Sequence, residues 1–532
     1  MNNRNFINDN LQKDGCSARG ACSLVPSIAA LQELLIYIIK QCSYYILELD
    51  SFNLNNDNLI KDVISSLSSL VLINELNENN LYSLILQNYY ALDNARATYK
   101  KACQENNISD KMLIFTPKFD EKSPLTVAIS EGEKLLKLKF RILSGELRNY
   151  IQIFGIVLKS ICSNLSRLYD IEVSDAKARK FILKAVNILN DENLSIDKIF
   201  KQIKILAKKD FLLNLALSQE IKERFGPMSR VKVSHSSRKG KAILVSGNNF
   251  IDLLHILDLA KSNNIDVYTH SDLLLAHSLE KFRNYENLVG HYGDSFGDCI
   301  VDFATFPGAI LLTNNSKHNT EFLYRGKIFS NTYNIPRGVT GITDGDYFPI
   351  IETSLNSKGF SKATVKPDSF VGFDDFTSES IFDNIIKTLV NPDVKHVYII
   401  VGNSLSELQK DYMDKFLNDI NEDEFVISFS YPVSLKNSVM IDFANFYPFM
   451  AELISEIFKG YETSDKITFM FNICNITLLS YAIYFKLAGV KDLYLSNCSP
   501  RIINPAVFET LIKHYDINLM TNPAHDLIRM RN

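Results

Sequence analysis

The chain is 532 residues long, 46% hydrophobic and 22% charged, enough for about three or four domains on a length prior. Its 57 Lys plus Arg against 61 Asp plus Glu leave a net charge of −4, which argues against a nucleic-acid binder, whose gripping domain carries a basic excess. Gly (21) and Pro (14) are scarce, so collagen-like and linker-dominated classes drop out.

Residues 1–14 are polar and Asn-rich, without the basic–apolar–small order of a secretory signal. The eight cysteines, at 16, 22, 42, 103, 162, 299, 474 and 498, are scattered. That usage suits a reducing cytoplasm in which most of them are small core residues. Leu31, Leu34, Leu35, Ile38 and Ile39 fall at helical spacing and make one apolar face. The same periodicity runs through Leu59–Ile73, Leu81–Cys103, Leu135–Leu168 and Ala178–Leu217, which predicts an all-α helical-bundle domain over residues 1–238. Phe225–Lys241 reads as a linker, and its basic run Arg238–Lys241 as a solvated connection.

Beyond Lys241 the pattern changes. Ala242–Ser246 is a β-rich run ending in Gly247, followed by an apolar-periodic helix (Phe250–Ala260) and a strand (Ile265–Thr269). The pattern returns as His396–Val401 ending in Gly402, a helix (Leu405–Leu417) and a strand (Phe425–Phe429). Each is the βαβ unit of a parallel sheet. Two related doubly wound, Rossmann-like α/β domains are therefore expected over 239–388 and 389–532. Ligands in such sheets collect beyond the carboxyl ends of the strands, where Asn248-Asn249 and Asn403-Ser404 stand. The long apolar window Ile467–Val490 contains Asn472, Asn475 and Lys486, so it reads as a strand and a buried helix, not a membrane span.

No Walker-type phosphate loop, two-glycine dinucleotide fingerprint, zinc-protease helix or Gly-x-Ser-x-Gly elbow is present. The glycine-spaced stretch Arg337–Gly345 reads as a loop with tight turns. His270 and His277 flank Asp272 seven positions apart, and a hydrogen-bonded core role for them outweighs a metal role.

Several segments together resemble the hybrid-cluster protein family, also called prismane proteins or hydroxylamine reductases. They are the N-terminal Gly15–Cys22, Ala242–Gly247, Val267–His277 (Val-Tyr-Thr-His-Ser-Asp-Leu-Leu-Leu-Ala-His), Phe306–Ser316, Gly345–Glu352 and Ala488–Leu493. The resemblance spans essentially the whole chain and implies the same helical domain and two α/β domains. It also implies a cubane iron–sulfur cluster on four N-terminal cysteines, a hybrid iron–sulfur–oxygen cluster on one His, two Glu and four Cys, and reduction of hydroxylamine. Carried over position by position, the His becomes Asn248 and the first Glu becomes Asp272. The four Cys become Ser316, Asn403, Tyr431 and Phe446, and the last Glu becomes Asn475. Of the cubane set, Cys16 and Cys22 remain.

Iron–sulfur clusters are held by soft, anionic thiolates. Asn is neutral, Phe has no lone pair, and Ser and Tyr hydroxyls are protonated at neutral pH. One carboxylate, Asp272, cannot hold a multi-iron cluster. The resemblance thus implies a degenerate homologue with no cofactor, a pseudoenzyme kept as a binding or regulatory protein, with a second copy or an intact homologue as partner. Phe446, Tyr431 and the amides Asn248, Asn403 and Asn475 are expected to fill the vacated space. The alternative is an oxidoreductase acting on hydroxylamine or related nitrogen species through an altered metal centre built from Asp272, Ser316, Tyr431, His270 and His277. An intact enzyme whose ligands fall at other positions is a third reading. Cys16 and Cys22 read as free thiols in a surface turn, with a site shared across a dimer or a reversible disulfide as the alternatives.

Overall fold

The computed structural model describes residues 25–531 apart from 55, 72–76, 174, 294–298, 314–325, 332–334, 336–338, 344, 374–380, 403–406, 430, 444–445, 461–465, 473–475 and 497–504. Helices α1 (Pro26–Ser51), α2 (Asp57–Ser69), α3 (Glu78–Glu105), α4 (Leu125–Ile142), α5 (Gly145–Asp170), α6 (Ala176–Asn187) and α7 (Ile196–Phe225) form the N-terminal region. Two of the long periodic runs are each two helices. The first breaks where the Ser144 side chain accepts from the Leu147 N–H at 3.2 Å and starts α5. The second breaks before Ser195, which caps α7 in the same way through Lys198. An unbroken apolar period conceals such breaks because the cap residue supplies the orphan amides with an acceptor at small cost to the pattern. Cys42, Cys103 and Cys162 are buried free thiols in this bundle, as expected of core cysteines.

Phe225–Lys241 departs from the expected linker. Within it β1 (Val231–Val233) pairs antiparallel with β8 (Ser369–Val371). Ser237 and Gly240 bridge to Thr364 and Phe360, and the Arg238 N–H donates to the Tyr268 hydroxyl at 2.9 Å. The segment is stitched to the first α/β unit by backbone hydrogen bonds, which a composition of Ser, Lys and Arg does not reveal.

The first sheet holds β2 (Ala242–Ser246), β3 (Asp266–His270), β4 (Leu288–His291), β5 (Ala309–Leu312), β6 (Ile328–Ser330) and β7 (Thr340–Gly341). Thr340–Gly341 falls inside the stretch expected to be only loop. The second sheet holds β9 (His396–Val401), β10 (Glu424–Phe429), β11 (Ser438–Ile441), β12 (Ile467–Phe471), β13 (Asp492–Leu495) and β14 (Asn518–Leu519). Their orders, β4-β3-β2-β5-β6-β7 and β11-β10-β9-β12-β13-β14, are the same doubly wound arrangement, 3-2-1-4-5-6 in each sheet's own numbering. Every pair within them is parallel.

Alternation along the strands divides the core. Ile243, Val245, Val397, Ile399 and Val401 join one large cluster with the helical bundle. Tyr398 and Ile400 lie in a second cluster, and Ala242 and Leu244 in a third, on the opposite faces of their sheets. The inner faces of both sheets and the bundle thus meet in one continuous core. Among the described residues, no helix is long and apolar enough to cross a membrane. The Ile467–Val490 window divides into β12 and helix α15 (Ile476–Leu487).

A candidate functional site at the junction

Equivalent turns end the first strand of each sheet. Gly247 (φ 125°) and Gly402 (φ 87°) adopt backbone that side chains resist. After Gly247 the Asn248 N–H donates to the Thr313 Oγ1 at 3.1 Å, and Asn249 caps helix α8 (Phe250–Ser262) through the Ile251 and Asp252 amides. Thr313 follows β5, so Asn248 stands at the point where the winding of the sheet reverses. Past β3, Ser271 (φ 61°) turns the chain into the 3-10 helix Ser271–Ser278. Ser246 and His270 are register partners, which leaves Asn248 and Asp272 each two residues beyond the same level of the sheet.

Asp272 meets the bundle there. Its Oδ2 lies 3.9 Å from an Arg167 guanidinium nitrogen, and both side chains are nearly enclosed. The same guanidinium lies over the Phe446 ring, 5.2 Å from its centroid, as a cation on an aromatic face. Phe446 immediately precedes α14 (Tyr447–Gly460). It is 1% exposed and packs against Phe250 at 5.8 Å and Phe449 at 5.4 Å between centroids. Beside it, burial foremost and then the Asp272 charge push the Tyr447 hydroxyl pKa up, with Arg167 opposing. Each of the three regions contributes one of these groups: Arg167 from α5, Asp272 from the first sheet and Phe446 from the second.

Arg167 also bears on a second buried carboxylate. Asp210 of α7 is fully buried, accepts from the Ser480 hydroxyl of α15 at 2.6 Å and from the Asn164 amide of α5 at 2.8 Å. Burial raises its pKa to about 6 against those hydrogen bonds and the Arg167 charge. Between the ordinary carboxylate range and about 6, the folded protein holds a proton that the unfolded chain has released, so stability falls as pH rises through that window. Asp210→Asn is expected to be more stable than the parent by about 1–3 kcal/mol at pH 8. The gain should vanish below about pH 4, as read from urea unfolding midpoints, and an equal gain at both pH values would contradict it.

Tyr431 does not join this site. It lies in the cluster on the far face of the second sheet with Tyr398 and Phe416, its hydroxyl donating to Asp414 at 3.0 Å. The expectation that Tyr431 packs with Phe446 is corrected on that ground. The two histidines also turn away from Asp272. His270 Nδ1 pairs with the Ser246 hydroxyl at 2.8 Å, and His277 Nε2 with the Thr269 hydroxyl at 2.9 Å. The same hydroxyl meets His291 Nδ1 at 2.9 Å. Burial above all, and then His235, depress His277 to about 4, and burial with three neighbouring imidazoles takes His291 well below its ordinary value. His277 and His291 are neutral core imidazoles. Among the described residues, no group of three or more His, Cys, Asp or Glu is arranged to hold a metal ion. Cys16, Cys22, Ser316, Asn403 and Asn475 lie outside the described residues.

Arg167, Asp210 and Tyr447 fall outside the residues that the sequence motifs and the resemblance single out. A signal existed in the helical spacing of polar residues inside apolar runs. Ser160, Asn164 and Arg167 fall at i, i+4 and i+7 on α5, and Asp210, Asn214 and Ser218 at i, i+4 and i+8 on α7. Such stripes mark a helix face that meets polar groups inside the protein. On α7 the stripe continues to Lys222, which pairs with Glu452 of α14 at 2.9 Å.

The model of the Prismane/CO dehydrogenase family matches residues 10–430. A hydroxylamine reductase of Methanocella arvoryzae is 23% identical over 537 residues, covering 97% of each chain. One from Syntrophobacter fumaroxidans is 22% identical over 538 residues, again 97% of each. One from Zymomonas mobilis is 26% identical over 390 residues, 73% of this chain and 70% of that protein.

Proposed function

Since the chain belongs to the Prismane/CO dehydrogenase family, we propose that it is a degenerate homologue of the hydroxylamine reductases, one that holds no hybrid cluster and acts as a binding or regulatory protein. The observation that carries this is the Arg167 guanidinium between Asp272 and the Phe446 ring. A cluster needs anionic donors around a cationic centre. Here the one remaining carboxylate faces a fixed cation, and an aromatic ring stands where the resemblance requires a thiolate. A further positive charge brought to Asp272, about 5 Å from Arg167, would meet repulsion of roughly 3 kcal/mol at an effective dielectric constant of 20. Asn248 offers a neutral amide and Tyr431 lies across the sheet. The residues do not suit the cluster, and no redox step is derived through it.

An altered metal centre is less well supported, because His270, His277 and Tyr431 turn to Ser246, Thr269 and Asp414 and do not converge on Asp272. The partner of such a protein is a second copy or an intact homologue in the same cytoplasm. Nucleic acid is not among its targets, given a net charge of −4. The test is hydroxylamine consumption by anaerobically purified protein with a reduced viologen as electron donor. Turnover no faster than in protein-free buffer is expected. Sustained turnover that tracks iron content would refute the reading.

A further inference from the structure

The helical region contains a cleft of about 440 Å³ between α1, α4, α5 and the turn after α6, within the size range of small-molecule sites. Its walls are mainly apolar, with Ile36, Leu135, Ile151 and Phe154 among them. Its polar groups are unlike those of a packing defect. Lys40, Lys139 and Lys159 all line it. Among the described residues only Lys139 has an ion pair, its ammonium 2.8 and 3.0 Å from the Glu33 carboxylate. The Lys40 ammonium rests over the Tyr37 ring at 4.8 Å. Lys159 makes no hydrogen bond or ion pair among the described residues; burial first and the Lys139 charge second bring its pKa down to about 8, with Glu33 opposing. The buried Gln32 Nε2, also on the wall, has no hydrogen-bond partner among the described residues. Asp191 is drawn off by Lys198 at 2.7 Å, and Glu192 is exposed at the rim.

Three ammonium groups against one inward carboxylate leave unmatched positive charge in an apolar cavity, which is costly unless an anion joins it. An inorganic anion would satisfy the lysines and leave the apolar walls wet. A neutral lipid would do the reverse. We propose that this cleft is a binding site for a medium-chain carboxylate, its head group held by Lys159 and Lys40 with the Gln32 amide, and its aliphatic chain along the apolar wall. Its lining includes none of Arg167, Asp272 or Phe446, and its test does not depend on whether the protein holds a cluster.

The experiment is isothermal titration of the full-length protein with sodium decanoate below its micellar concentration. One saturable site per chain is expected. Lys159→Met, which keeps the stem and removes the charge, should weaken it at least tenfold, while Lys159→Arg should retain binding within about threefold. Melting curves of both variants without ligand check that each is folded, and decanoate should raise the melting temperature of the parent but not of Lys159→Met. Decan-1-ol should bind at least tenfold more weakly than decanoate, and inorganic phosphate not measurably. The proposal is overturned by the absence of saturable binding, by equal affinity in folded Lys159→Met, by equal affinity for the alcohol, or by phosphate binding as tightly as decanoate.

Discussion

Phe446→Ala is expected to destabilise the protein by about 3–5 kcal/mol, the range for truncating a buried phenylalanine. The ring is 1% exposed, joins Phe250 of the first α/β unit to Phe449 of the second, and supports the Arg167 guanidinium. Its removal opens a cavity where three regions meet, so no single element can shift to close it. Leu is a better replacement because it restores most of the volume, and Phe446→Leu should recover more than half of the loss. Equilibrium urea unfolding measures both. A neutral Phe446→Ala would mean that the ring fills no space and that the junction is open.

Arg167→Met should cost a similar amount, about 3–5 kcal/mol, because it removes the cation that faces the buried Asp272 carboxylate. The loss belongs to the pair more than to the arginine. Adding Asp272→Asn should therefore return much of the stability, giving a coupling of about 1–3 kcal/mol in the double-mutant cycle. Strictly additive losses would show that the two side chains are neighbours without mutual dependence. The pair matters because Asp272 is the position to which the resemblance assigns an iron-bound carboxylate.

Much of the fold was legible because fully buried parallel strands write a short continuous apolar run ending in glycine. Ala242–Ser246 and His396–Val401 have the bounds read from the sequence, and both start sheets of one winding order. The order itself was not legible, since strand adjacency depends on partners dozens of residues away. For the same reason Val231–Val233 reads as part of a linker in the sequence: three residues carry little pattern, and their partner Ser369–Val371 is distant. At the site, Asn248, Asp272 and Phe446 could be named only through the resemblance. Arg167 carries only the weaker signal of its polar stripe with Ser160 and Asn164, and its role shows once Asp272 and Phe446 arrive from other regions. Tyr431 shows the converse limit, as a matched position does not say which face of a sheet a side chain takes.

Iron and acid-labile sulfide, quantified together with low-temperature electron paramagnetic resonance on protein purified without oxygen, bear most directly on the central claim. A colourless sample with neither element above trace and no paramagnetic signal is the predicted result. A brown sample with a stoichiometric hybrid-cluster signal would mean that Arg167 does not stand where iron would, and would contradict the account.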